Sequence, residues 1–385
     1  MNVDRRAPDP AAVRPRDAVL GMAPYSPPED LAVVAARAGI APDAVIKLDA
    51  NENPYGPTPR VAGALANYAR YHRYPDPDQK ALRAAIASYV GVPPELVIAG
   101  NGSDEIIDLL CRIYLDPDDE VVDCTPTFGM YLFSTALCGG RVIEMPRTHT
   151  WHVDADAIAE SLTPRTKLIF AATPNNPSGN CIDEQSVRTL AATGRIVVLD
   201  EAYVEFAELS GGESFARLVD DYENLVVLRT FSKWAGLAGL RVGYGIVPPS
   251  IAEQLWKVKP PFNVNLAAEA AVWATLEDLG EVQQRLRLIV EERERMAAGL
   301  AAVPGIHVWP SVANFLLIAI PGESADALRE HLATRGIAVR AYSHRRLRNA
   351  IRISIGLPDH TDAVVAAVRE WSADASHDVR HSRSA

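Results

Sequence analysis

The chain is poor in cysteine, poor in lysine and short of positive charge, and each shortage removes a class of protein. Only Cys111, Cys124, Cys138 and Cys181 occur, with no CxxC pair and no Cys/His cluster at metal-ligand spacing. That argues against a disulfide scaffold and a zinc module; no metal is expected, and free thiols in a reducing compartment are. The formal net charge of -11 argues against a nucleic-acid partner, which requires a basic face. No apolar run approaches the roughly 18 residues that span a bilayer. The N-terminal stretch MNVDRRAPDPAAVRPRDAVLG has charge and proline but no signal-peptide core. The expectation is a cytoplasmic protein with neither nucleic acid nor membrane as partner.

What is present is an ordinary apolar content of 48%, enough for a sizeable core, and a length that implies two domains at roughly 150 residues each. Short runs rich in Val, Ile and Leu alternate with helical patterns: Leu96–Ala99, Glu120–Cys124, Lys167–Ala172, Arg195–Leu199, Leu225–Arg229 and Arg241–Val247. Such runs are strands of a mainly parallel sheet covered on both faces, with helices expected at Asp104–Tyr114 and Gln185–Thr193. After Asn265 a long helical stretch is followed by strand-like runs at Phe315–Ile320, Ala338–Arg340 and Ile351–Ile355. The fold class is therefore α/β, a large domain with a mainly parallel central sheet flanked by helices, plus a smaller α+β domain. The expected division is an N-terminal arm and start of the small domain over 1–45, a large domain over 46–263, a small domain over 264–373 and a disordered tail over 374–385.

Ligands of open α/β sheets bind beyond the carboxyl ends of the strands, so the residues that follow each run carry the information. Gly100-Asn101-Gly102-Ser103 leads into a helix, where glycines and free N–H groups suit a phosphate. Position 105 is Glu where a dinucleotide fingerprint has a small residue, so the match to that motif is incomplete. Ser103 and Asp104 are compatible with a single-phosphate cradle; Ser103 is equally compatible with a plain helix cap. The chain has six lysines, at 47, 80, 167, 233, 257 and 259, and one stands at a strand end within Thr230-Phe231-Ser232-Lys233. A lysine amine can form a Schiff base with a carbonyl cofactor, while a solvated surface lysine is the plain alternative. Thr230, Ser232 and Arg241 could hold a phosphate beside it. Asp200 closes the run Ile-Val-Val-Leu, and a carboxylate at a buried strand end needs a partner. A protonated pyridine nitrogen is one such partner, a helix cap or ion pair another. Tyr203 and Asn176 stand within reach of the same ring's oxygen, or serve only the local turns.

Together these segments resemble the fold-type I, pyridoxal 5'-phosphate-dependent aminotransferases, and most closely the histidinol-phosphate aminotransferases. The resemblance runs from Pro24 to Gly356 through Lys47-Leu-Asp-Ala-Asn-Glu-Asn-Pro-Tyr-Gly56, Arg73-Tyr-Pro-Asp76, Gly100–Glu105, Pro126–Tyr131, Pro174–Gly179, Asp200–Tyr203, Arg229–Lys233, Gly239–Gly243 and Arg352-Ile-Ser-Ile-Gly356. It implies that Lys233 carries the cofactor and acts as the base, with Asp200 on the pyridinium nitrogen and Tyr203 and Asn176 on the phenolate oxygen. It assigns Ser103, Asp104, Thr230, Ser232 and Arg241 to the cofactor phosphate and Phe128 to the ring face. It further implies a homodimer in which Tyr74 reaches the partner subunit's phosphate site. Arg340 and Arg352 would hold the substrate's anionic group, with Asn176 nearby and Tyr25 of the arm closing over it.

The activity so implied is transfer of the amino group of L-histidinol phosphate to 2-oxoglutarate, in histidine biosynthesis. An aromatic amino-acid aminotransferase, an aminotransferase of specialised metabolism and a phosphothreonine-type decarboxylase share the motifs. A transcription regulator with an aminotransferase-like domain would carry a helix-turn-helix segment before the Asn-Glu-Asn-Pro stretch, and the proline-rich start lacks one.

Overall fold

The computed structural model describes residues 13–24, 27, 29–320 and 325–382, from residue 374 by backbone alone. Tyr25 lies outside the described residues. In chain order the strands are β1 (Ile46–Leu48), β2 (Val97–Gly100), β3 (Glu120–Asp123), β4 (Arg141–Glu144), β5 (Thr166–Ala172) and β6 (Ile196–Asp200). They continue with β7 (Leu225–Thr230), β8 (Gly243–Ile246), β9 (His307–Val308), β10 (Phe315–Ala319), β11 (Ile337–Ala341) and β12 (Ala350–Ser354).

The larger sheet has the order β2-β8-β7-β6-β5-β3-β4. All its pairings are parallel except the two made by β8. The continuous apolar runs have a direct cause. Along each strand one residue set faces one helical layer and the next set faces the other. Leu168, Phe170, Val198, Val226 and Leu228 pack with the helices Ser103–Tyr114 and Pro249–Val258. Ile169, Ala171, Val197, Leu199, Leu225 and Val227 pack on the opposite side, with Val187 and Leu190 of the helix Glu184–Ala191. Asp183 caps that helix, its carboxylate accepting from the Ser186 N–H at 2.8 Å.

The smaller sheet has the order β1-β11-β12-β10-β9, antiparallel except for β1 beside β11. The helices Leu279–Ala301 and Ala325–Ala333 pack with it, and Pro358–Ser382 packs on those two helices. Among the described residues no helix is long and apolar enough to cross a membrane.

Four details depart from the sequence reading. The run Arg241–Val247 is a strand only from Gly243 to Ile246, because Arg241 has a left-handed backbone, φ 55°. Residues Ile46–Leu48 pair with Ile337–Val339 of the smaller sheet, so the chain crosses to the larger layer after that strand and not at 46. The helix Leu266–Leu276 packs on Pro59–Asn67 and Lys80–Val90 of the larger layer, which moves the second boundary beyond 264. The closing helix runs on to Ser382 where a disordered tail was expected; its last turns hold neither Gly nor Pro to stop it.

The ends of β6 and β7 are tied behind the sheet. Arg229 Nε donates to Glu201 Oε2 at 3.0 Å, both side chains buried. Glu201 also accepts from Ser214 Oγ at 2.7 Å and from the Phe215 N–H at 2.6 Å. Burial pushes the neighbouring Glu205 up to about 8, with Arg229 drawing it back. Truncating one partner of a buried pair strands the other's charge. Arg229→Leu is therefore expected to destabilise the protein by about 3–5 kcal/mol, read as a lower urea midpoint; an unchanged midpoint would contradict the assignment.

Candidate active site

The carboxyl ends of β2, β5, β6 and β7 open onto a cavity of about 440 Å³, closed from the smaller sheet's side by Arg340, Tyr342 and Arg352 and from the N-terminal side by Asp49, Ala50 and Asn51. The structure brings Ser103, Asp104, Phe128, Asn176, Asp200, Tyr203, Thr230, Ser232, Lys233, Arg241, Arg340 and Arg352 to this one cavity. Tyr74 does not line it. Its ring is 79% exposed and stacks on Phe262, centroids 4.4 Å apart.

One end of the cavity gathers groups of the kind that suit an anion. Gly102 has φ 78°, and a Cβ there would stand 2.4 Å from Arg241 Nη2, so only glycine lets the guanidinium lie across the turn. Arg241 is held there by Asp104 at 2.8 Å. Ser103 is the first residue of its helix and not the cap. That helix has no side-chain cap, so its leading N–H groups and dipole face the turn. On the facing strand end Thr230 Oγ1 donates to Ser232 Oγ at 2.9 Å and accepts from the Ser232 N–H at 3.1 Å. β8 passes close by because Gly243 lacks a Cβ, which would meet the Ser103 nitrogen at 2.4 Å.

Beyond this cradle stand an acid and an amine. Asp200 is buried. Its carboxylate accepts from Tyr131 Oη at 2.7 Å and from the Ala202 N–H at 3.1 Å. Burial pushes it up to about 6, the Tyr131 hydroxyl opposing. Lys233 Nζ donates to the Ala50 carbonyl at 2.9 Å. Burial, and next the Arg352 charge, push that amine down to about 8 from the usual 10.5. A half-buried lysine that is partly neutral near physiological pH can serve as nucleophile and base.

Two hydroxyl and amide groups are oriented by what they already accept. Tyr203 Oη accepts from Asn51 Nδ2 at 3.0 Å, which leaves its own proton to give. Asn176 Oδ1 accepts from Arg352 Nη1 at 2.7 Å, which leaves its N–H groups as donors. Phe128 lines the same cavity and meets Tyr131 edge-on, centroids 5.7 Å apart. Arg340 and Arg352 are register partners on β11 and β12. Like charges directly opposite repel, so the pair is suited to an anion placed against both.

Sequence reasoning passed over Asn51, Tyr131 and Tyr342. Asn51 is the hub of a buried set. Ser354 Oγ donates to its Oδ1 at 2.9 Å, its N–H donates to Ser354 Oγ at 2.9 Å, and Asn314 Nδ2 donates to its carbonyl at 3.0 Å. Its left-handed φ of 53° is one that Asn tolerates better than most residues, a weak signal in the Asn-Glu-Asn-Pro segment. Tyr131 lies three residues beyond Phe128, and its ring is stacked on Phe170, centroids 4.7 Å apart.

The model of the family Aminotransferase class I and II matches residues 43–369. A histidinol-phosphate aminotransferase of Roseiflexus castenholzii is 48% identical over 364 residues, 92% of this chain and 97% of that protein. The chloroplastic histidinol-phosphate aminotransferase of Nicotiana plumbaginifolia is 44% identical over 363 residues, 94% of this chain and 87% of that protein. Among solved structures, the histidinol-phosphate aminotransferase of Sinorhizobium meliloti in complex with pyridoxal-5'-phosphate matches at TM-score 0.85 and 26% identity, covering 95% of this chain and 99% of that one.

The depressed Lys233 has a signed consequence. A lysine pushed down to about 8 costs stability at full size below that pH, and the cost vanishes as pH rises toward 10.5. Lys233→Met is expected to raise the melting temperature of the ligand-free protein by several degrees at about pH 7, with the gain shrinking at about pH 9.5. A difference that does not change with pH would contradict the burial argument.

Proposed function

The chain belongs to the class I and II aminotransferases, and on that footing we propose that it moves the amino group of L-histidinol phosphate to 2-oxoglutarate, a step of histidine biosynthesis. The observation that carries the substrate reading is the cross-strand pair Arg340 and Arg352 in the cavity. Two guanidiniums side by side suit a phosphate dianion, which takes charge-assisted bonds from both. The names of the relatives at 48% and 44% identity support the same substrate.

The cofactor is pyridoxal 5'-phosphate, and the residues present fit it. A glycine whose Cβ would be filled by Arg241, two hydroxyls and an uncapped helix start suit its phosphate. Asp200, which makes no ion pair among the described residues, suits its pyridinium. Tyr203 and Asn176 are left as donors for its ring oxygen. When bound, the group supplies an electrophilic carbonyl and a cationic ring that accepts the electrons left by a departing proton. The chain's own part is then positional and acid–base. Lys233 takes a proton at Nζ and returns it, which a neutral amine can do near its depressed value. Asp200, once it faces a cation, stays ionised. Phe128 covers the ring face, and Arg340, Arg352 and Asn176 hold the substrate's far end.

The assembly is proposed to be a homodimer. The exposed Tyr74–Phe262 pair offers an aromatic patch for a second copy, with Tyr74 completing the neighbour's phosphate site. The buried free thiols Cys111 and Cys124 suit the cytoplasm.

Two experiments test this. The purified protein with pyridoxal phosphate is expected to absorb at roughly 410–430 nm and to lose the band on adding L-histidinol phosphate without acceptor. Loss with phenylalanine or tyrosine alone would move the substrate reading to aromatic amino acids. Separately, mixing the inactive Lys233→Ala and Tyr74→Ala chains is expected to restore about a quarter of parental activity, because half of randomly formed dimers carry one intact site of two. No recovery would contradict a site shared between subunits.

A further inference from the structure

Glu105 stands where a dinucleotide-binding turn has a small residue, and its carboxylate has a use. Glu105 Oε2 accepts from the Asn101 N–H at 2.7 Å and from Asn263 Nδ2 at 2.6 Å. Asn263 Nδ2 also donates to the Ala99 carbonyl at 3.1 Å. Its Oδ1 accepts from Gln79 Nε2 at 2.8 Å and from Lys259 Nζ at 3.0 Å. Gln79 is buried and grips the same strand end twice, accepting from the Ala99 N–H at 3.1 Å and donating to its carbonyl at 3.0 Å. Both amide hydrogens and both lone pairs of Asn263 are thus engaged. Lys259, also buried, lies 5.0 Å over the Trp256 ring and supplies the positive charge near Glu105.

None of these four residues lines the cavity. They hold the backbone from Ala99 to Asn101 from beneath, and that backbone leads directly into Gly102, on which Arg241 rests. The turn has little slack. A Cβ at Gly100 would lie 2.9 Å from the Gly102 carbonyl and 3.3 Å from Glu105 Oε2. Asn263 follows Phe262, whose ring stacks on Tyr74, so the same asparagine also anchors the exposed aromatic patch.

We propose that Asn263 is a positioning residue. With Glu105 and Gln79 it sets the path of the phosphate turn and so the grip on the cofactor's phosphate, while touching no part of the cofactor. The proposal rests on the reading that pyridoxal phosphate binds here with its phosphate at this turn. Asn263→Asp keeps the shape but removes both donors and sets a second negative charge against Glu105.

The test compares two ligands by the absorbance band they produce, pyridoxal 5'-phosphate and pyridoxal, which lacks the phosphate. Asn263→Asp is expected to weaken the first by about tenfold or more and the second by less than about twofold. The double variant Asn263→Asp/Glu105→Gln removes the charge repulsion but not the loss of the two donors, and is expected to recover only part of the loss. Equal weakening of both ligands, or no weakening, overturns the proposal. If Asn263→Asp does not fold, Glu105→Ala, which leaves the Asn101 N–H without its side-chain acceptor and the Asn263 amide with the Ala99 carbonyl alone, is expected to give the same contrast and is judged the same way. A parent chain that binds neither ligand sinks the functional reading itself, an outcome distinct from equal weakening in the variant.

Discussion

The structure turns on a carboxylate buried in the wall of the cavity that no side-chain cation meets among the described residues. Asp200 ends a central strand, is buried, and has a tyrosine hydroxyl and one backbone N–H for partners. The charged groups that act on it most, Asp104 and Glu201, are themselves acids, so they push its affinity for protons further up. Such a group is costly in an empty site and favourable opposite a bound cation. Much of the surrounding architecture serves that arrangement. Tyr131 stacks on Phe170 to aim its hydroxyl, and the Glu201–Arg229 pair behind the sheet fixes the strand ends from which Asp200 and Lys233 depart.

A second constraint joins the two sheets. Asn51 reaches Tyr203, just beyond the carboxyl end of β6, and Ser354 and Asn314 at the smaller sheet. Arg352 reaches Asn176 and the Asp49 carbonyl. The residues proposed to hold the cofactor's ring are thereby set by the residues proposed to hold the substrate. Movement of the smaller sheet would change both, which is the coupling an enzyme needs if binding energy at the far end of a substrate is to act at the reacting carbon. The buried Arg352 charge is also a cause of the depressed Lys233, so the anion site bears on the base electrostatically as well as through contacts.

The sequence made legible whatever is local. Continuous Val/Ile/Leu runs gave the parallel sheet because both faces are covered, and the polar residues after each run gave the cavity because strand ends are where α/β sheets leave room. The glycines around residue 101 announced a close turn, and in the structure a Cβ at Gly102 would meet the Arg241 guanidinium. Long-range geometry was not legible. Asn51 and Ser354 meet across 303 residues of chain, and nothing near either residue records the other. Tyr131 looked like an ordinary core aromatic. Glu105 looked like a defect in a motif, when its carboxylate is the acceptor that closes the turn. The helix through Ser382 was not legible in the polar composition of the chain's end, although propensity alone, with no Gly or Pro present, allows it to continue.

The central claim is that Lys233, and no other lysine, holds the cofactor in this cavity. Borohydride reduction of the protein saturated with pyridoxal phosphate, followed by peptide mapping by mass spectrometry, tests it most directly. The account predicts a pyridoxyl mass increment confined to the peptide that contains Lys233. An increment on Lys47, Lys257 or Lys259, or none on any peptide, would contradict it.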